Sequence, residues 1–149
     1  MVLSKQKDKL FDSFRKAWVA ATPEELVRQK LLHAMTTQLG FPKNFLTVEK
    51  RLSELPHLKG ALRLPNRRAD ILCFAKGIHP EHELFPLLLV ECKEGLVGES
   101  AAKQALGYNH YVQAPYVAIA GEGSVELVHP QRLSFLPSYS ELLERVCRQ

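Results

Sequence analysis

Apolar residues in this chain follow two patterns, unbroken runs and spaced stripes. The clearest run is Leu87-Leu88-Leu89-Val90, which leads straight into Glu91, Cys92 and Lys93. Such a run predicts a strand buried on both faces, here over 86–93. Arg67-Arg68-Ala69-Asp70-Ile71-Leu72-Cys73-Phe74 predicts a second strand over 67–75, and Phe45-Leu46-Thr47-Val48-Glu49 the first of the sheet. Tyr116–Ala120 and Val125–Val128 read as strands joined in a hairpin by Gly121-Glu122-Gly123. The connection over 50–66 contains Pro56, Gly60 and Pro65 and has room for one short strand at 61–64.

The stripes predict helices. Leu3, Leu10, Phe11, Phe14 and Trp18 suggest a helix over 3–18, within a helical extension at 1–20 that covers a sheet face or binds a partner. Thr22-Pro23-Glu24-Glu25 is a strong helix start: Thr22 caps, Pro23 suits the first turn and Glu25 holds the capping-box position. That helix carries Leu26, Val27, Leu31, Ala34 and Met35 and stops at Gly40. A further helix over 100–113 is lined by Ala101, Ala105, Tyr108 and Val112, and Ser138 caps a closing helix over 139–148. The sum is an α/β (α+β) chain with a central mixed sheet flanked by helices.

Composition narrows the class. A chain of 149 residues fits one domain, 1–149. Its net charge of +4 is compatible with a polyanionic partner without demanding one. Cys73, Cys92 and Cys147 lack metal-type spacing and are odd in number, which suggests a reducing compartment without disulfides. No apolar run approaches the length of a membrane span, and the start of the chain lacks a signal-peptide apolar region. The expectation is a cytoplasmic protein with no membrane contact.

The chemistry concentrates where two strands end. Alternation puts Glu91 and Lys93 on one face and Cys92 on the other. Glu91 and Lys93 can pair with each other, and a buried Asp–Lys–Glu network serving only the fold is the plainer alternative. Asp70 adds a second carboxylate on a neighbouring strand. Two carboxylates about 4 Å apart repel by roughly 4 kcal/mol at an effective dielectric near 20, and a divalent cation reverses that sign. Magnesium suits such oxygens and keeps room for phosphate. Glu25 either closes the capping box, pairs with Arg28, or serves a site. Gln104 and Tyr108 share a helix face, although Tyr108 can equally be core. Arg67 and Arg68 read as solvated or phosphate-facing, and the basic residues of 50–66 as a solvated loop or a nucleic-acid groove. His79 and His82 have the look of a metal pair, but Pro80 and the lack of further ligands argue against zinc.

Taken in order, Thr22-Pro-Glu-Glu-Leu-Val-Arg28, Arg67-Arg-Ala-Asp-Ile71, Leu89-Val-Glu-Cys-Lys93 and Gln104-Ala-Leu-Gly-Tyr-Asn109 resemble the N-terminal nuclease domain of type I restriction enzyme R subunits, of the PD-(D/E)xK superfamily. The resemblance spans roughly 22–128. It implies a restriction-endonuclease-like core and a magnesium-dependent phosphodiesterase site, with manganese as substitute. Asp70, Glu91 and the backbone carbonyl of Cys92 would hold the metal, and Lys93 would be the catalytic lysine. Gln104 and Glu25 would complete the catalytic set. Arg67, Arg68, Lys103 and Tyr108 would face nucleic acid. Ala69 stands where the superfamily name has proline, which is not a ligand. The helicase motors of the restriction subunits have no counterpart in this sequence, so ATP-driven translocation is not implied. The expected function is hydrolysis of DNA phosphodiester bonds, alone or within a larger restriction or repair-type complex, with room for a homodimer. The alternatives are a catalytically silent or partner-dependent binding module on the same fold, and an accessory protein docking through its first helix.

Overall fold

The apolar run at Leu87–Val90 is sandwiched between two hydrophobic layers. In the computed structural model, which describes residues 8–147, it lies in β5 (Leu84–Cys92) at the centre of a five-stranded sheet. The other strands are β3 (Leu46–Arg51), β4 (Arg68–Lys76), β6 (Tyr116–Gly121) and β7 (Ser124–His129), in the order β3-β4-β5-β6-β7. β5 and β6 are parallel and the remaining pairs antiparallel. A parallel pair needs a long crossover, which α2 (Glu99–Val112) supplies. The mixed sheet flanked by helices is therefore the α+β architecture read from the sequence.

Alternation along the strands sorts the core into two faces. Leu88, Val90 and Cys92 cluster with Val27, Leu31, Leu32 and Met35 of α1 (Pro23–Thr37) and Leu142 of α3 (Tyr139–Cys147). Leu89, Leu72, Val117 and Ile119 cluster with Ala102, Ala105, Tyr108 and Val112 of α2. Fully burying one such leucine is worth about 1.5–3 kcal/mol, so the two layers hold β4, β5 and β6 firmly. α1 begins as its sequence dictates: the Thr22 hydroxyl accepts from the Glu25 amide at 3.1 Å, and Pro23 opens the first turn. Among the described residues no helix is long and apolar enough to cross a membrane.

Two expectations are corrected. The chain before α1 is a hairpin, β1 (Lys9–Asp12) and β2 (Ala17–Ala20), rather than a helix. The supposed apolar stripe splits: Leu10 is buried while Phe11 is exposed and packs edge-on against Trp18. Asp12 makes the turn, its side chain accepting from the Phe14 amide at 2.9 Å. Positions 3–7 of the expected helix, with 1 and 2 of its extension, and residue 148 of the closing helix lie outside the described residues. The short strand at 61–64 does not form either. Two 3-10 turns, Leu52–Glu54 and Pro56–Leu58, bury Leu52 and Leu55 against the α2-side core, and Arg63 takes a left-handed φ of 62°.

Candidate active site

Antiparallel pairing brings the start of β4 beside the end of β5, because Ile71 pairs with Val90. Asp70, one residue before Ile71, and Glu91, one residue after Val90, therefore lie side by side. The Asp70 amide donates to Glu91 Oε2 at 3.2 Å, and the Cys92 amide donates to Asp70 Oδ2 at 2.7 Å. On the other side of β4, Val48 pairs with Ile71 and Lys50 with Ala69, which sets Glu49 of β3 against Asp70. Glu49 has a φ of 58°, a left-handed conformation that a glutamate rarely adopts. The first turn of α1 adds Glu24. Together with Arg67 and Lys93, these residues line a solvent-open pocket of about 450 Å³ at the strand ends, in which nearly every wall is polar or charged.

A buried cation stands behind the acids. Arg28 of α1 is 4% exposed. Its Nη1 donates to Glu25 Oε1 at 2.7 Å, while Nη2 reaches Glu49 at 2.6 Å, Asp70 at 2.8 Å and Glu24 at 3.4 Å. Burial opposes its charge, but the carboxylates of Asp70 and Glu25 outweigh it and hold the guanidinium firmly protonated. Burial, then the Asp70 carboxylate, push Glu91 up to about 8. Burial likewise raises Glu24, with Asp70 adding to it, and raises Glu49 against the pull of Arg28. Burial also keeps the Cys92 thiol neutral.

The residues singled out from the sequence divide into those at the pocket and those behind it. Asp70, Glu91, Cys92, Lys93, Arg67 and Arg68 line it. Gln104 meets it through Lys93, whose Nζ donates to Gln104 Oε1 at 2.9 Å. Tyr108 is buried beneath the Arg67 guanidinium, which lies 4.7 Å above its ring and 3.7 Å from Glu91. The Tyr108 hydroxyl is buried with no hydrogen-bond partner. Glu25 is turned away from the pocket: it bonds Arg15, Arg28 and Gln29, and Arg15 in turn bonds Asp12 of the hairpin. Lys103 is exposed on α2 and is not part of the pocket wall. His79 and His82 lie away from it, around Phe85 at the other end of β5.

Sequence reasoning missed Glu24, Glu49 and the reach of Arg28. Each offering one oxygen, Glu24, Glu49 and Asp70 come within 4.8 Å of one another, a donor set of hard oxygens that fits a small divalent cation. The helix start held the signal for Glu24. Of two adjacent glutamates the capping pattern drew attention to the second, whereas successive helical residues point about 100° apart and only the first faces the pocket.

An α+β sheet with an acidic, lysine-bearing pocket at its strand ends defines the class structurally. The family model described as type I restriction enzyme R protein N terminus matches residues 23–137, and the chain belongs to that family. The matched segment holds every residue of the pocket wall and leaves the β1–β2 hairpin and α3 outside. No curated protein matches the chain.

Proposed function

We propose that the chain is a divalent-metal-dependent deoxyribonuclease of the PD-(D/E)xK type, which hydrolyses DNA phosphodiester bonds as part of a larger restriction-type complex. The observation that carries this reading is the meeting of Asp70, Glu91 and Lys93 in one solvent-open pocket, with Glu24 and Glu49 beside them. Asp70, Glu49 and Glu24 would hold Mg²⁺ or Mn²⁺, with Glu91 and the Cys92 carbonyl adjoining. The ion, when bound, supplies Lewis-acid polarisation of a phosphoryl oxygen and a more acidic water.

The chain's own groups do the remainder. The Cys92 amide fixes the orientation of Asp70 through Oδ2. Gln104 holds the Lys93 ammonium at the pocket mouth, where it offsets charge developing on the phosphoryl group. Arg67, half-exposed and seated on Tyr108, is placed to give a charge-assisted hydrogen bond to a neighbouring phosphate.

The test pairs calorimetric titration of Mn²⁺ with nicking of a supercoiled plasmid. Wild type is expected to bind the ion and nick. Lys93→Ala is expected to bind it within about threefold of wild type, a change of under about 1 kcal/mol, and to lose nicking. Retained nicking by Lys93→Ala removes the role of the lysine, and absence of ion binding by wild type removes the metal.

A further inference from the structure

We propose that Arg28 is a resident placeholder cation, which a divalent ion must displace to enter the site; this rests on the metal-dependent reading above. The two ends of the guanidinium do different things. Nη1 is anchored on Glu25, itself buried and held by Arg15 and Gln29, away from the pocket. Nη2 contacts Glu24, Glu49 and Asp70. These are the same three residues whose oxygens gather within 4.8 Å of one another. One half of the side chain therefore belongs to the fold and the other half occupies the place of an ion. The Arg28 Nε–H is buried with no partner, so only the two terminal nitrogens pin the group.

Electrostatics gives the arrangement two effects. Without the guanidinium, three carboxylates would face one another across a few ångströms, each pair repelling strongly. Arg28 lets the site fold fully formed before any ion arrives. The same positive charge repels an incoming dication and holds its ligands, so ion entry is an exchange: Nη2 leaves Glu49 and Asp70 while Nη1 stays on Glu25. The site then loads only above a threshold concentration that Arg28 sets.

The test is calorimetric titration of Mn²⁺ into wild type and Arg28→Met, with melting followed in parallel with and without the ion. Arg28→Met is expected to bind Mn²⁺ about tenfold tighter, or about 1.4 kcal/mol, to melt lower than wild type when ion-free, and to gain more on ion addition. Binding equal to or weaker than wild type overturns the placeholder and leaves the metal-dependent reading standing. Binding by Arg28→Met alone means that no ion displaces Arg28 in wild type, and overturns both readings. Failure of both proteins to bind overturns both readings. Should ion-free Arg28→Met not fold, Arg28→Lys replaces it: one ammonium cannot span Glu25 and the three outer acids, so tighter binding is again expected, and equal or weaker binding overturns the proposal.

Discussion

Replacing Glu91 by glutamine is expected to remove a pH dependence built into the ion-free fold. Glu91 is 3% exposed and shares its surroundings with Asp70, so burial first and the Asp70 carboxylate second raise its carboxyl from 4.5 to about 8. The unfolded chain releases this proton near pH 4.5, while the folded chain keeps it until about 8. The stabilising contribution is complete below the lower value and is lost as pH rises through the upper one. Where only the folded state holds the proton, stability falls by about 1.4 kcal/mol per pH unit, and the whole window is worth on the order of 5 kcal/mol. Glutamine keeps the shape, still accepts from the Asp70 amide, and cannot ionise. Urea denaturation in the presence of a chelator, at pH 5, 6, 7 and 8, measures the effect in both proteins. Glu24 and Glu49 are also raised and His57 is lowered by burial, but all three are common to both proteins and drop out of the difference. The expected result is a Glu91→Gln protein that gains on wild type as pH rises and exceeds it at pH 8. Parallel curves, or a variant weaker than wild type at pH 8, would refute the reasoning.

Two further substitutions probe the neighbouring contacts. Arg67→Ala removes the cation above Tyr108; DNA affinity should fall, and the slope of log affinity against log salt should shrink by about 1, read by fluorescence anisotropy across a salt series. Gly121→Ala would place a methyl group 2.5 Å from the Gly95 carbonyl oxygen, which already accepts from the Glu122 amide at 2.8 Å. Forcing that overlap should cost about 2 kcal/mol in chemical denaturation and displace the loop that follows Lys93, whereas a loss under about 0.5 kcal/mol would contradict the close approach.

The parts of the fold legible in the sequence are those where one local signal dominated. Leu87–Val90 could only be a strand covered twice, and two helical layers cover it. Thr22 and Pro23 fixed the start of α1 by cap chemistry alone. Residues 10–18 misled because apolar spacing there suits a helix about as well as a ribbon. The deciding signal was the Asp12-Ser13 turn, with its side-chain bond to the Phe14 amide. In the pocket, Asp70 and Glu91 were legible because each borders an unbroken apolar run, Asp70 before one and Glu91 after the other. Glu49 was not, since plain alternation gives no hint of a left-handed residue. Arg28 was legible only as a local partner of Glu25; its bonds to Glu49 and Asp70 span 21 and 42 positions of sequence.

The left-handed turn of the backbone at Glu49 divides the pocket into a fixed half and a yielding half. Glu91 comes from the central strand, clamped by neighbours on both sides and by helices above and below, and Lys93 follows one residue past its end, its amide donating to the Ala120 carbonyl at 2.8 Å, so their spacing tolerates little drift. Glu49 comes from β3, at the margin of the sheet, where β4 is its single strand neighbour, its carboxylate is held by Arg28 and its backbone sits in a costly left-handed conformation. On the metal-dependent reading proposed above, movement of the margin alone would accommodate ions of different radius. Under that reading, substitutions in β3 and the turn after it should shift ion preference more than substitutions in β5.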